Sequence, residues 1–338
     1  MRKKLERLKM MPGDGIPISV DDLEGDFDPK EYDKRMQMTR KGVVLGATLI
    51  IFAVIIILTY HGDKRLAAVD SVYTRLSNLT QMFGVAQTAN DSETTRSWVR
   101  EYYSRQAADR IRALDTITGS ITNFASLYNT MVPEVYCPAL VRVGTVLDGG
   151  KFVCNPHDMP KNCSIYSLGL NNEISFDVDI QEFNNYTCRI YGYDRDIQAA
   201  EISIRYKEVN GEVESVTISP KTNVTKNEYF LGDLLIKNKD TYAEILKMDI
   251  EYAEHKTLIP FLQRFSVCQI LLEIHGKPIQ HVTLLHQIAE LDYALFSYEV
   301  NGYSLEACEY SFINLNCMAR YGATIWKLYL KHVNPSEM

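Results

Sequence analysis

Residues 243–254 read AEILKMDIEYAE, an apolar run that ends among three carboxylates, Asp249, Glu251 and Glu254. The apolar and β-branched residues over 243–250 favour a β-strand. A helical pattern follows over 253–263, so this stretch predicts a strand that leads directly into a helix. Units of this kind build parallel sheets with helices between the strands.

Similar patterns recur on both sides of this unit. Before it and after it, short apolar runs rich in β-branched and aromatic residues predict strands at 164–168, 188–193 and 267–274. A second helical pattern covers 279–290. Near the end, strands over 294–300 and 308–314 are separated by a short connection that begins Asn301-Gly302, which predicts an antiparallel hairpin. The sequence therefore predicts an α/β domain over 133–338, with a mostly parallel sheet that ends in this hairpin.

Composition and charge narrow the class of protein. The 338 residues are 46% hydrophobic and 23% charged, which excludes a wholly disordered or collagen-like chain. Acidic residues number 43 against 36 Lys and Arg. Because proteins that bind duplex nucleic acid usually carry a basic excess, no nucleic-acid partner is expected.

Residues 42–60 read GVVLGATLIIFAVIIILTY, without a charge or a proline. Nineteen helical residues span roughly 28 Å, close to the thickness of a bilayer core. Ten Lys and Arg precede this run, but only three lie in the first twenty residues after it. The positive-inside rule then predicts a cytosolic tail (1–41), a transmembrane helix (42–60) and a type II single-pass topology.

The cysteines and sequons indicate a lumenal C-terminal part. All seven cysteines follow the apolar run, as do five Asn-x-Ser/Thr sequons that begin at Asn78, Asn90, Asn162, Asn185 and Asn223. Disulfides and N-glycans form in the secretory pathway, so we expect a disulfide-bonded glycoprotein of the endoplasmic reticulum or Golgi.

Seven cysteines cannot all pair within one chain, so at least one is free or bridges to a partner. The spacing permits local bridges between Cys154 and Cys163 and between Cys308 and Cys317, although sequence does not fix the connectivity. No Cys-x-x-Cys or His-bracketed cluster is present, so no metal site is predicted.

Residues 61–132 separate the apolar run from the α/β domain. Apolar residues recur there at helical spacing, for example Val72, Leu76, Leu79 and Phe83. The pattern predicts a helical stem, through which the chain could self-associate.

The candidate ligand site lies at the strand ends, because open parallel sheets bind ligands outside the carboxyl ends of their strands. Gly169 follows the first predicted strand and permits a tight turn. Asp194 ends the second, where a carboxylate can accept the hydroxyls of a ribose or cap the next helix. Asp249 ends the third, while Glu273 and His275 share one face of the fourth.

Five segments taken in order resemble the FkbM-type methyltransferase family, and within it the animal methyltransferase-like membrane proteins. They are SIYSLGLNNEISFD (164–177), IYGYDRD (190–196), LKMDIEYAE (246–254), QILLEIH (269–275) and FSYEVNGY (296–303). The segment CPALVRVGTVLDGGKFVC (137–154) is similar to the usual entry of that group. The resemblance covers residues 137–314 and implies a class I methyltransferase (Rossmann-like) fold that binds S-adenosylmethionine.

The resemblance also implies roles for single residues. Gly169 and Asn171 would lie in the cofactor loop, Asp194 would hold the ribose, and Asp249 would face the methyl-transfer site. We assign Asp249 to positioning of the acceptor or cofactor and His275 to proton removal. The methyl acceptor, an oxygen or a nitrogen, is not specified by the sequence.

Two other functions fit parts of the pattern. A lumenal glycosyltransferase would use an Asp-x-Asp metal site, and both Asp177-Val-Asp179 and Asp194-Arg-Asp196 match it. A non-catalytic interaction protein would keep the fold without turnover. Two departures from the family pattern favour that alternative: the first loop has the single glycine Gly169, and Tyr252 stands where a glycine is usual.

Overall fold

A seven-stranded sheet forms the centre of the protein. The structure is a computed structural model, and it describes residues 93–146 and 148–334. In chain order the strands are β1 (Ser164–Leu168), β2 (Arg189–Asp194), β3 (Gly211–Ser215), β4 (Tyr242–Met248), β5 (Ser266–His275), β6 (Tyr293–Val300) and β7 (Ala307–Asn314). Their spatial order is β3-β2-β1-β4-β5-β7-β6.

Strand direction confirms the predicted architecture. The pairs β2–β3, β1–β2, β1–β4 and β4–β5 are parallel, whereas β7 pairs antiparallel with both β5 and β6. The mostly parallel sheet with a C-terminal antiparallel hairpin is therefore present as predicted. The hairpin connection contains Asn301 and Gly302, as expected from the sequence.

Helices connect the parallel strands. In chain order they are α1 (Ser175–Phe183), α2 (Ala200–Glu208), α3 (Leu231–Lys237), α4 (Glu254–Leu262) and α5 (Pro278–Glu290). The strand residues alternate between two apolar clusters: Ile165 and Ile245 belong to one, Tyr166 and Leu246 to the other. The sheet thus separates two cores, because successive side chains of a strand point to opposite faces.

Shorter elements complete the domain. Two-residue strands pair Val135–Tyr136 with Thr324–Ile325 and Thr217–Ile218 with Glu228–Tyr229. A short hairpin pairs Leu140–Val143 with Lys151–Cys154. The remaining helical pieces are Ala125–Tyr128, Pro156–Asp158, Val224–Lys226 and Leu330–His332.

The segment before the sheet is helical over residues 93–115. Its Ala107 and Leu114 are buried in the same apolar cluster as β4 and α5, together with Leu127 and Met131. The tail (1–41), the apolar run (42–60) and residues 61–92 of the predicted stem lie outside the described residues. Within the described ranges, no helix has both the length and the apolar character needed to cross a bilayer.

Both local disulfides that the spacing permitted are wrong. Three bridges form instead, Cys137–Cys154, Cys163–Cys188 and Cys268–Cys317, and Cys308 is free and buried. Strand pairing explains the difference. Cys163 and Cys188 stand just before β1 and β2, whose first residues are paired in register. Cys317 follows β7, the antiparallel neighbour of the strand that carries Cys268.

Candidate functional site

A cavity of about 790 Å³ lies at the carboxyl ends of β1, β2, β4 and β5. Its walls include all the residues that were predicted from the sequence to form the methyltransferase site, namely Gly169, Asn171, Asp194, Asp249 and His275. The strand ends therefore converge on one crevice, as an open parallel sheet requires.

The loop after β1 approaches the end of β4 very closely. Gly169 has a φ of +77°, and a Cβ at this position would lie 1.6 Å from the carbonyl oxygen of Asp249. The Gly169 N–H donates to the Tyr193 carbonyl (2.9 Å), and Lys247 Nζ donates to the Gly169 carbonyl (3.0 Å). Only glycine fits this position, and its backbone links the loop to β2 and β4.

Asp194 holds the same loop from the end of β2. Its Oδ2 accepts hydrogen bonds from the N–H groups of Leu170 (2.7 Å) and Asn171 (2.8 Å), and its Oδ1 accepts one from Asp196 (2.8 Å). An ionised carboxylate has about four acceptor positions, so these three bonds fix its orientation and leave room for a further donor. The alternative role as a helix cap is not observed, since α2 begins only at Ala200.

Asp249 belongs to a buried cluster of acids around one lysine. Lys151 is 1% exposed, and its Nζ lies 2.5 Å from Glu309 Oε1 and 3.8 Å from Asp249 Oδ2. Asp249 also lies beside Glu273, because the residues that precede them, Met248 and Leu272, are paired in register. Burial disfavours the Asp249 charge, but Lys151 and Glu273 hold its pKa below the ordinary value. Burial, with Glu309 and Asp249 nearby, raises the pKa of Glu273 to about 8.

His275 also lies among carboxylates, and Glu273 is one of them. Its Nδ1 is 3.4 Å from Glu254 Oε1, and its Nε2 is 3.6 Å from Glu251 Oε2 and 3.9 Å from Glu273 Oε2. Burial opposes the charged imidazolium, but Glu254 and Glu273 outweigh it and raise the pKa of His275 to about 9. The ring is then protonated at neutral pH, a state in which it donates hydrogen bonds and cannot remove a proton.

The turn after β4 carries Tyr252, at the position where the resemblance implied a glycine. Glu251 and Tyr252 have φ values of 52° and 70°, in the left-handed region that favours glycine. The Tyr252 hydroxyl reaches across to Glu306 Oε2 at 3.4 Å, and its ring lies 5.5 Å from the His275 ring between centroids. Tyr252 and Glu306 thus lie on opposite walls of the cavity and contact each other.

Several cavity residues were not assigned from the sequence. Glu306 and Tyr303 line the cavity and come from the connection between β6 and β7. Lys151 and Glu309 do not line it, but they contact its acids from strands far apart in the chain. The only signals for these residues were the segments that contain Lys151 and Tyr303, through their place in the resemblance.

Two groups in this region have the geometry of metal ligands. Asp249, Glu251 and His275 present ligand atoms within 4.8 Å of one another, as do Asp148, Glu273 and Glu309. The sequence analysis predicted no metal site. The Lys151 ammonium contacts Glu309 and faces Asp249, so a cationic group already lies between the two sets of acids.

The first Asp-x-Asp pair does not line the cavity. Asp177 is fully buried and accepts a hydrogen bond from Tyr206 (2.7 Å), while Asp179 accepts one from the Gly144 N–H (3.2 Å). In the second pair, Asp194 is bound to the loop and Asp196 contacts Arg195 at 3.1 Å. Asp177 is therefore not available to a nucleotide-sugar metal, contrary to the glycosyltransferase alternative.

The sheet order and the cavity define an α/β protein of the class I methyltransferase-like fold. Residues 81–314 match the profile of a family described as a methyltransferase domain. The chain belongs to this methyltransferase family. No curated protein matches it.

Solved structures that resemble the chain include three methyltransferases. The RNA methyltransferase PH1948 from Pyrococcus horikoshii, described as putative, is 9% identical, with 46% of this chain and 76% of that chain covered and a TM-score of 0.31. Precorrin-6y C5,15-methyltransferase from Geobacter metallireducens is 11% identical, with coverages of 46% and 81% and a TM-score of 0.30. Coclaurine N-methyltransferase, bound to N-methylheliamine and SAH, is 9% identical, with coverages of 63% and 87% and a TM-score of 0.29.

Proposed function

We propose that this chain is an S-adenosylmethionine-dependent methyltransferase of the FkbM type that methylates an oxygen or nitrogen acceptor. We further propose that residues 42–60 anchor it in a membrane of the endoplasmic reticulum or Golgi, with the domain over 133–338 in the lumen and residues 61–132 as a stem that self-associates. The observation that carries the proposed activity is the single cavity that Gly169, Asp194 and Asp249 line together.

The residues around the cofactor half of the cavity fit S-adenosylmethionine. Asp194 is held by three N–H groups and keeps an acceptor position for a ribose hydroxyl. Val216 and Ile218 line the cavity beyond β3 and offer apolar surface to a purine. When bound, the cofactor would supply a methyl group on a sulfonium, and the acceptor would take that methyl group with the thioether sulfur as the leaving group. The chain's contribution is to hold the acceptor in line with that methyl group.

Asp249 is the residue best placed to position the two reactants. It stands between the loop at Gly169 and the acids of β5 and β7, and Lys151 and Glu273 fix its carboxylate. We retain His275 as a positioning residue for the acceptor, because its imidazolium contacts Glu251, Glu254 and Glu273. The proton-accepting role then belongs to the ionised carboxylate of Asp249, and to Glu273 only in molecules that have lost its proton.

The proposed activity is tested by titrating the full chain with S-adenosylmethionine in a calorimeter. We expect binding that weakens at least about tenfold in Asp194→Asn, because the amide replaces one carboxylate oxygen with a donor. Asp109→Asn, an exposed acid that does not line the cavity, is the control and should bind normally. UDP-glucose with Mn²⁺ should give no heat. If the sugar nucleotide binds and S-adenosylmethionine does not, the proposed activity is wrong.

A non-catalytic protein of the same fold is the second candidate. The contact between Tyr252 and Glu306 favours it, since both side chains line the cavity and their contact takes up part of the space available to an acceptor. Cofactor binding without methyl transfer to any acceptor, unchanged in Tyr252→Gly, would support this alternative.

A further inference from the structure

The part of the cavity that faces away from the cofactor loop is strongly acidic. We call it the acceptor half and define it by the residues Asp148, Glu251, Tyr252, Glu273, His275, Asn301, Tyr303 and Glu306. Asp249 lies at its boundary with the cofactor half. Four of the eight residues are carboxylic acids, and His275 is the only basic residue among them.

Two cations near the acceptor half, Lys151 and His275, are already engaged with carboxylates, and a third, Lys247, donates to the Gly169 carbonyl. Lys151 is buried between Glu309 and Asp249, and the His275 ring lies within 4 Å of three further acids. Glu309 is 8% exposed, and its Oε2 accepts no hydrogen bond from the described residues. Even with Glu273 protonated, the acids outnumber the cations, so a negative potential remains in the cavity.

Two tyrosines add aromatic surface at the mouth of the acceptor half. Tyr252 is half exposed and Tyr303 is 86% exposed, although both line the cavity. Exposed aromatic faces beside carboxylates attract organic cations through the ring quadrupole. Carboxylates and aromatic faces together are the surroundings in which an ammonium group is stabilised.

From these features we infer that the methyl acceptor of the proposed reaction is an amine, which enters the acceptor half as its ammonium form. This inference rests on the proposed function and names its substrate class. In molecules whose Glu273 is ionised, a fraction that grows with pH because its pKa is about 8, the bound ammonium first gives one proton to the Glu273 carboxylate. The freed nitrogen lone pair then forms the N–C bond as the methyl C–S bond breaks, and the electron pair of that bond stays on the sulfur.

An amine suits this site better than a hydroxyl acceptor. Methylation of a hydroxyl requires the oxygen to become more negative, which Asp249, Glu251 and Glu306 would oppose. An ammonium is attracted by the same charges. The pKa of Glu273 is about 8, which is much closer to the pKa of an ammonium group than that of an ordinary carboxyl. Proton transfer between the ammonium and the Glu273 carboxylate is therefore easier.

The test compares three probes of the same shape and different charge: benzylamine, benzyl alcohol and benzoate. Each is titrated into the full chain in detergent, with and without S-adenosylhomocysteine. We expect benzylamine to bind at least about tenfold more tightly than benzyl alcohol, and benzoate to bind more weakly than both. Equal affinities for the three probes, including no binding of any, would overturn the inference.

Matched variants show whether the acceptor half is responsible. Glu251→Gln with Glu306→Gln should reduce the preference for benzylamine to about threefold or less. Glu208→Gln with Glu212→Gln, which removes two exposed acids elsewhere, should leave the preference unchanged. A preference that persists in the first double variant would contradict the inference.

Two further measurements distinguish this inference from its alternatives. The preference for benzylamine should be the same when EDTA is present. If EDTA abolishes this preference, a divalent metal, rather than the carboxylates alone, binds the probe. S-adenosylhomocysteine binding is measured separately in the same titrations. Loss of that binding would contradict the proposed function, whereas benzyl alcohol preferred over benzylamine would contradict only the amine.

Discussion

Asp249 and Glu273 stand next to each other at the carboxyl ends of two adjacent parallel strands. Met248 and Leu272 are paired in register, so the next residue of each strand places one acid beside the other. Two neighbouring carboxylates do not both ionise readily. Because the Lys151 ammonium stabilises the Asp249 carboxylate, Asp249 is the one that carries the negative charge. Glu273 keeps the proton at neutral pH, and this relationship underlies the first prediction.

We expect the free energy of unfolding to fall as the pH rises from about 6.5 to 9. The pKa values of Glu273 (about 8) and His275 (about 9) are both raised above those of the unfolded chain, so the folded protein binds more protons in this window. Stability gained from these protons is present at lower pH and is lost as each group titrates. The charged groups that face the two residues are Lys151, Asp249, Glu251, Glu254 and Glu309.

Glu273→Gln tests this expectation, because glutamine keeps a hydrogen bond and does not titrate. Urea unfolding at pH 6, 7, 8 and 9 should show a shallower loss of stability in the variant than in the parent. Part of the pH-dependent loss of stability should remain in the variant, since His275 still titrates. An identical pH profile for the two proteins would show that Glu273 does not hold a proton in the folded state.

Gly169→Ala should destabilise the protein and abolish cofactor binding. A left-handed φ costs about 1–2 kcal/mol for alanine, and the overlap of its Cβ with the Asp249 carbonyl adds to this. We expect a total loss of about 3 kcal/mol in urea unfolding. Gly119→Ala is the control, since its Cβ would meet no atom within 4 Å. Similar losses of stability in Gly169→Ala and Gly119→Ala would contradict the close approach of Gly169 to the Asp249 carbonyl.

Glu134→Ala should be among the most damaging single substitutions outside the cavity. Glu134 is 1% exposed and accepts hydrogen bonds from the N–H groups of Tyr329 (2.6 Å), Leu330 (2.9 Å) and Leu295 (3.1 Å). Buried donors without an acceptor cost about 1–3 kcal/mol each, so a loss of about 3–5 kcal/mol is expected. Thermal and urea unfolding would measure it, with exposed Glu208→Ala as the control that should change little.

The disulfide pattern predicts which cysteine reacts with an alkylating reagent. Cys308 should be the only cysteine labelled without reductant, and only after the chain is unfolded, because it is free and buried. Peptide mapping by mass spectrometry would identify it. Removal of both Cys268 and Cys317, which close a 49-residue loop, should cost about 4 kcal/mol. Labelling of any of the other six cysteines would contradict the pattern.

The proposed lumenal location predicts glycans on exposed sequons. Asn162 and Asn185 are exposed and Asn223 is half-buried, whereas Asn78 and Asn90 lie outside the described residues. Protein expressed in a secretory system should move faster on a gel after treatment with an N-glycosidase. Asn162→Gln and Asn185→Gln should each remove one step of that shift. A chain whose mobility the enzyme does not change would argue against a lumenal domain.

The main strands were predictable because each has a strong local pattern. The runs that became β1, β2, β4 and β5 are apolar and short, and Asp194 and Asp249 follow from the rule that ligands bind at strand ends. By contrast, β3 (Gly211–Ser215) reads GEVES and was not predicted. It pairs only with β2, at the edge of the sheet, so polar residues are compatible with it.

The acid cluster was only partly predictable, because its members meet through tertiary packing. Glu273 was identified as a strand-end acid, but its partner Lys151 comes from a hairpin more than a hundred residues earlier. No local pattern specifies that pairing. The same holds for Cys163–Cys188, where the register of two parallel strands overrides the shorter spacing between Cys154 and Cys163.

The Cys137–Cys154 bridge closes the hairpin whose second strand begins with Lys151. Formation of this bridge therefore fixes the strand that places the Lys151 ammonium group beside Glu309 and Asp249. A newly made chain whose thiols had not yet been oxidised would lack this constraint, and its acids would be less firmly neutralised. The acid cluster around Lys151 would then be completed only after the chain reaches an oxidising compartment. Chains whose thiols are still reduced would be inactive.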